Sequence, residues 1–73
     1  MKLYADVTVV SCKRIKSKNG KEYAKVVLSD PSGDLVEFMT NDLTFLDKQL
    51  YVNYRAELNY VPYSRKLYLR GLA

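Results

Sequence analysis

The sequence predicts a small all-β domain in which five strands form a barrel with at most one short helical turn. Two observations point to this fold class. Apolar and polar residues alternate through most of the chain, which is the pattern of half-buried strands. Turn sequences separate the alternating segments, and one apolar stretch alone has a helical spacing, over one or two turns. At 73 residues, the sequence 1–73 is predicted to form a single domain.

The first half of the chain contains three predicted strands. Strand one runs from Leu3 to Ile15. Its apolar residues are predicted to share one face: Leu3, Ala5, Val7, Val9 and Ile15. Asn19-Gly20 predicts a hairpin turn, because both residue types accept a positive φ. Strand two then covers Tyr23 to Leu28, a proline-containing turn covers Asp30 to Gly33, and strand three covers Leu35 to Thr40.

The second half contains the predicted short helix and two more strands. Residues 41–47 are expected to form a helical turn or an irregular connection. Strand four is predicted from Leu50 to Tyr60 and strand five from Lys66 to Leu72, with a proline-containing turn between them. The longest connection therefore joins strands three and four, which matches an OB-fold, a partly open Greek-key barrel. An SH3-like barrel with the same number of strands is the alternative.

Charge is divided along the chain. The net charge is +5 for residues 1–25, −5 for residues 26–47 and +4 for residues 48–73. At a pI of about 9.3, this segregation predicts a basic surface built from both ends of the sequence, as expected for a polyanion partner. The alternative is that the charged residues only solvate exposed edges.

The residue types argue against several function classes. The chain has no histidine and one cysteine, Cys12, so it lacks the commonest general base, the usual Cys/His zinc ligands and an intrachain disulfide. We expect a protein that is not an enzyme and has no metal or cofactor. A metal-dependent nuclease would have to use Asp30, Asp34, Glu37 and Asp42, which we expect to face solvent. With no long apolar run and no signal-peptide pattern, we expect a cytoplasmic protein that does not contact membranes.

Seven tyrosines require an explanation. Tyr54 and Tyr60 follow the apolar alternation of strand four, which predicts that they pack in the barrel wall. Tyr23 and Tyr68 have the opposite register, and Tyr63 lies in a turn, so these three are predicted to be exposed. The cations beside them are Lys21, Lys25, Arg65, Lys66 and Arg70. Rings next to cations suit single-stranded nucleic acid, since bases stack and phosphates pair. A partner-protein surface is the alternative.

The predicted first hairpin is strongly basic. The segment from Lys13 to Lys21 contains five Lys/Arg and no acid in nine residues. Such a run alone is a weak motif, but OB-folds often bind oligonucleotides with the hairpin between their first two strands. This hairpin is therefore predicted to bind phosphates as a flexible clamp.

Three stretches of the sequence match motifs of one known family. They are Asn19-Gly20-Lys21-Glu22-Tyr23, Val61 to Leu67 with its turn tyrosine, and Leu67 to Leu72 with its arginine. These stretches resemble the DNA-binding wing, the late hairpin and the last strand of the small single-stranded DNA-binding proteins of filamentous phages. Glu22 stands where that family has proline. The resemblance implies a homodimer that coats single strands during replication, with Tyr23 and Tyr63 stacking on bases.

We therefore expect a sequence-tolerant OB domain that binds single-stranded DNA, as a homodimer, from a phage or other mobile element. The resemblance implies phosphate contacts for the following five cations: Arg14, Lys16, Lys18, Lys21 and Arg70. The full set of candidate binding residues is Arg14, Lys16, Lys18, Lys21, Tyr23, Lys25, Tyr63, Arg65, Lys66, Tyr68 and Arg70. Two alternatives stay open: a module that binds an acidic protein, and an RNA-binding OB domain.

Overall fold

The computed structural model describes residues 1–73 and confirms the predicted all-β class. The strands are β1 (Lys2–Lys16), β2 (Glu22–Ser29), β3 (Leu35–Thr40), β4 (Asn53–Val61) and β5 (Lys66–Leu72). One 3-10 helix, Leu43–Asp47, connects β3 to β4. The Asp42 side chain caps this helix by accepting the backbone N–H of Thr44 at 3.0 Å. No helix in the structure has the length and apolarity needed to cross a bilayer.

The five strands form one antiparallel sheet in the order β3-β2-β1-β4-β5. The long β1 is shared, since its first half pairs with β4 and its second half pairs with β2. The sheet curls into a half-barrel in which the two edge strands, β3 and β5, approach each other without hydrogen bonding. This order and the connection between β3 and β4 are those of a partly open OB-fold.

A β-bulge divides β1. Its ladder with β2 shifts register between Val9 and Ser11, so Val10 is an extra residue. An extra residue transfers every following side chain to the opposite face of the sheet. Beyond the bulge, Cys12 lies opposite Val26 on the inner face, which is the face that packs the core. Ile15 lies opposite Tyr23 on the outer face. The prediction that Ile15 shares a face with Val9 is therefore wrong.

The core fills the inside of the half-barrel and contains no buried polar residue. Its ten buried residues are Val7, Val9, Ala24, Val26, Leu28, Phe38, Phe45, Ala56, Leu69 and Leu72. Phe45 is the contribution of the 3-10 helix, which packs against β1 and β2. All strands supply part of this core, so its burial stabilises the curled sheet as a unit.

Strand β4 begins at Asn53, three residues later than predicted. Leu50 and Tyr51 form a turn instead, and Tyr51 has a φ of 61°. The predicted wall position of Tyr54 is confirmed, because its ring packs against the core and its hydroxyl accepts the backbone N–H of Gln49 at 3.0 Å. Tyr60 is half-buried.

Candidate nucleic-acid interface

The turn of the basic hairpin is held by backbone hydrogen bonds. Ser17 accepts the N–H of Gly20 at 3.0 Å and donates its own N–H to the carbonyl of Lys21 at 2.8 Å. Gly20 has a φ of +84°, whereas Asn19 keeps a negative φ. This is a three-residue loop closed by a G1 bulge, in which glycine supplies the left-handed residue. The predicted hairpin is therefore confirmed.

The cations of this hairpin fall into two groups. Lys16, Lys18 and Lys21 are exposed and form no ion pair. Arg14 pairs with Glu22 at 3.6 Å, in a contact that is exposed on both sides. Exposed ion pairs stabilise a protein by about 0–1 kcal/mol, so Arg14 can exchange Glu22 for a phosphate at little cost. The tip of the hairpin thus presents unneutralised positive charge.

A groove of about 350 Å³ lies where the end of β3 approaches β5. Three predicted binding residues line it, namely Tyr23, Tyr68 and Arg70. The other lining residues are Met39, Thr40, Asn41 and Leu69. The β4–β5 ladder shifts register opposite Arg70 and leaves this residue unpaired. Such a bulge re-aims a side chain. Here, the Arg70 guanidinium lies 5.3 Å from the centroid of the Tyr68 ring.

The β4–β5 hairpin presents another exposed ring. Tyr63 is 99% exposed in the turn between the two strands. Arg65 donates its N–H to the carbonyl of Pro62 at 3.3 Å and has a φ of 54°, a conformation that favours glycine or asparagine. Arg65 and the neighbouring Lys66 are exposed and form no ion pair. This hairpin therefore combines a free aromatic ring with two free cations.

The strand register divides the predicted residues between two faces. Tyr23 and Lys25 lie on the outer face of β2, whereas Arg14 lies opposite Ala24 on the inner face. Lys16 alternates with Ile15 and so lies on the same side of the hairpin as Arg14. Lys25 also contacts the Glu37 carboxylate at 3.4 Å. A single-stranded nucleic acid that followed the outer face would contact Tyr23 and Lys25 directly. It would contact Arg14 and Lys16 only by passing around the edge of the hairpin.

Two residues of this outer face were not identified from the sequence. Lys13 and Met39 lie in one cross-strand row with Lys25, on β1 and β3 respectively. Met39 is exposed and lines the groove. The basic composition of the hairpin could have identified Lys13. Met39 has no comparable signal, because its position depends on how closely β3 approaches β5.

The four acidic side chains considered as metal ligands, Asp30, Asp34, Glu37 and Asp42, are engaged in local contacts. Asp30 accepts hydrogen bonds from the Ser32 hydroxyl at 2.7 Å and from the N–H of Asp34 at 2.9 Å, and these bonds lower its pKa. Asp42 accepts from Thr44, which lowers the pKa of Asp42. Asp30 and Asp34 stabilise a turn, Glu37 pairs with Lys25 and Asp42 caps the 3-10 helix. No group of three or more acidic or Cys side chains converges on one point.

A different exposed tyrosine lies in a mixed-charge environment. Tyr4 is on the outer face of β1, with the Arg55 guanidinium 4.8 Å from its ring centroid. Its hydroxyl donates to Glu57 at 3.3 Å, and Glu57 also pairs with Lys2 at 3.5 Å. The cations around Tyr4 are thus accompanied by carboxylates, unlike those around Tyr63.

The groove and the two hairpins occupy the elements that bind oligonucleotides in OB-folds. These are strands two and three, the loop between strands one and two, and the loop between strands four and five. Comparison of the chain with protein-family models, with characterised proteins and with solved structures gives no match.

Proposed function

We propose that this chain is a non-catalytic protein that binds single-stranded DNA with little sequence preference. The observation that supports this function best is the groove that Tyr23, Tyr68 and Arg70 line together. The hairpin that precedes Tyr23 and the hairpin that precedes Tyr68 both carry free cations. Bases of a single strand stack on tyrosine rings while phosphates pair with lysine and arginine, and each stacked base contributes about 1–3 kcal/mol.

Low sequence preference follows from the residue types. Every base has a π-face, so stacking on Tyr23, Tyr68 or Tyr63 discriminates weakly between bases. Lysine contacts to phosphate carry no sequence information. The resemblance of residues 19–23 and 61–72 to the filamentous-phage proteins supports a role in coating single strands during replication of a phage or mobile element, in the host cytoplasm.

We also propose that the protein is a homodimer that associates through the far end of the open seam between β3 and β5. An apolar cavity of about 110 Å³ opens there, lined in part by Val36 and Leu67. These two side chains are 43% and 38% exposed. Under twofold symmetry, the exposed apolar patch of one copy would pack against the same patch of the other.

A titration of the purified protein with poly(dT), duplex DNA and RNA of equal length tests the binding function. Poly(dT) should bind tightly, and duplex DNA should bind much more weakly, because base pairing hides the faces on which tyrosines stack. Affinity should fall as salt rises, since phosphate contacts release counterions. Equal binding of duplex and single strands contradicts the proposal. Tighter binding of RNA than of DNA favours the RNA-binding alternative.

A further inference from the structure

One backbone arrangement occurs three times in this fold. In each case, a residue with positive φ donates its N–H to the carbonyl of a residue on the facing segment. That facing residue donates its own N–H to the carbonyl of the residue that comes directly after the positive-φ residue. The three residues with positive φ are Gly20 at +84°, Gly33 at +91° and Tyr51 at 61°. The residues across from them are Ser17, Asp30 and Val9. All three are therefore G1 bulges.

Tyrosine is the exception among these bulges. The first position of a G1 bulge is a glycine position, because the left-handed conformation brings a Cβ too close to the backbone. At Tyr51, the bulge is held by the Tyr51 N–H donating to Val9 at 2.6 Å and by the Val9 N–H donating to Val52 at 3.4 Å. Glycine would make the same two hydrogen bonds without strain. The fold therefore does not require a tyrosine here.

The ring of Tyr51 contributes little to the fold in return. It is 75% exposed. The hydroxyls of Tyr4 and Tyr54 have hydrogen-bond partners in Glu57 and Gln49, whereas the Tyr51 hydroxyl has none. Strained backbone at an exposed residue is characteristic of binding sites, where the strain holds a side chain in a fixed direction.

Tyr51 lies at the base of the basic hairpin. Val9, its partner across the bulge, immediately precedes the point at which β1 leaves β4 and continues as the hairpin. Farther along β1 towards the hairpin turn lie Lys13 and then Ile15, which pairs with Tyr23. At about 3.3 Å per residue, Tyr51 and Tyr23 are roughly 20 Å apart along the strand. One OB-fold holds about 4–16 nucleotides, so a single strand can span this distance.

We propose that Tyr51 is a base-stacking residue that extends the single-strand site from Tyr23 to the base of the basic hairpin. This inference rests on the proposed function. It assigns the strained backbone a purpose, which is to hold an exposed ring at the base of the hairpin that carries Lys13. Leu50 and Val52 flank the ring and are partly exposed, so contact with another protein chain is the competing role and is an outcome of the test.

Replacement of Tyr51 by glycine separates the ring from the backbone conformation. Tyr51→Gly should keep or raise the melting temperature, because the strain is removed. Its affinity for oligo(dT) of about 16 nucleotides should fall by about 5- to 150-fold at every salt concentration, with the salt slope unchanged. Tyr51→Asn, which also tolerates the left-handed conformation, should behave similarly, and Tyr51→Phe should bind like the wild type. Tyr4→Ala is the matched control and should bind normally.

The outcomes distinguish this inference from the proposed function. If the wild type fails to bind oligo(dT), the proposed function is wrong, and the role of Tyr51 is wrong with it. If the wild type binds and both Tyr51→Gly and Tyr51→Asn bind equally well, only the role of Tyr51 is overturned. A lower melting temperature in both variants, or a change in sedimentation with unchanged affinity, also overturns it, because the ring would then pack within the fold or between protein chains.

Discussion

The guanidinium of Arg70 lies over the ring of Tyr68, with its central carbon 5.3 Å from the ring centroid. This distance is within the range of a cation–π contact. A base that stacked on the Tyr68 ring would therefore have a cation beside it for the attached phosphate. Because Arg70 is the unpaired residue of the β4–β5 ladder, its position does not depend on a strand partner.

Two substitutions of Arg70 should distinguish the contribution of its charge to DNA binding from the contribution of its planar guanidinium. Arg70→Ala should weaken oligo(dT) binding and reduce the slope of log affinity against log salt by about 0.7, because one fewer counterion is released. Arg70→Lys should keep the slope but bind more weakly than the wild type, since an ammonium does not stack as a guanidinium does. Affinities measured from 50 to 200 mM salt give both quantities. An unchanged slope in Arg70→Ala would exclude a phosphate contact.

The free lysines of the basic hairpin should behave as independent phosphate contacts. Changing Lys16, Lys18 or Lys21 singly to alanine should weaken binding most at low salt and lower the slope magnitude by about 0.7 each. Lys2→Ala is a suitable control, because Lys2 is also exposed but lies beside Glu57, away from the hairpin. If Lys2→Ala changed the slope as much as Lys18→Ala, the effect would reflect net charge rather than position.

The five strands and the turns between them could be predicted from the sequence, because alternation and turn residues are local signals. Two events that break the alternation could not. The bulge at Val10 reverses the faces of β1, so Ile15 lies with Tyr23 on the outer face rather than with Val9. The turn at Tyr51 ends the apparent alternation of Leu50 and Val52, and it carries no glycine to mark it. Both events are set by pairing with a distant strand.

The groove was predicted only in part, for a similar reason. Tyr23, Tyr68 and Arg70 were identified by their register and charge, which belong to single strands. Met39 was not identified, since it enters the groove only because β3 approaches β5 in the curled sheet. The sequence between these two strands contains no signal for that approach. Residue type and register therefore predicted three of the residues that line the groove, and tertiary packing determined the others.

Tyr23 should contribute to binding through its ring. Tyr23→Ala should weaken oligo(dT) binding by about 1–3 kcal/mol at any salt concentration, because stacking is short-ranged and little affected by screening. Tyr23→Phe should retain most of the affinity. Tyrosine fluorescence should be quenched on adding oligo(dT), and less so in Tyr23→Phe. If Tyr23→Phe bound as poorly as Tyr23→Ala, the contact would be a hydrogen bond from the hydroxyl rather than stacking.

Tyr54 should contribute to stability rather than to DNA binding, and its substitution tests the strand register. Its ring packs against the core, so Tyr54→Ala should lower the free energy of unfolding by about 3 kcal/mol. Tyr23→Ala should have a much smaller effect on unfolding, because Tyr23 lies on the outer face. Urea denaturation of both variants measures this difference, and a reversal would contradict the assigned faces of β2 and β4.

Stability should depend on pH through Asp30. The Ser32 hydroxyl, followed by the N–H of Asp34, donates to this carboxylate and lowers its pKa below the ordinary value of 3.8. The unfolded chain then binds more protons than the folded one as pH falls below that value, so this contribution to stability is present at neutral pH and lost in acid. Urea midpoints down to about pH 3 should fall less steeply for Asp30→Asn than for the wild type. Parallel curves would show that the turn does not hold the charged form.

The homodimer proposed at the open seam should be disrupted by a charge placed at the apolar end of that seam. Val36→Asp should shift sedimentation toward the monomer, because an unpaired carboxylate would be buried between the two copies. The fold should persist, since Val36 is already 43% exposed in a single copy. Lys18→Ala, in the turn of the basic hairpin between β1 and β2, is the control and should remain dimeric. Under the same conditions, Val36→Asp should bind long poly(dT) more weakly while binding short oligo(dT) normally, because two linked sites gain avidity only on a strand that reaches both. A wild type that sediments as a monomer at micromolar concentration would contradict the dimer, and equal losses on short and long strands would show that Val36 acts on the groove instead.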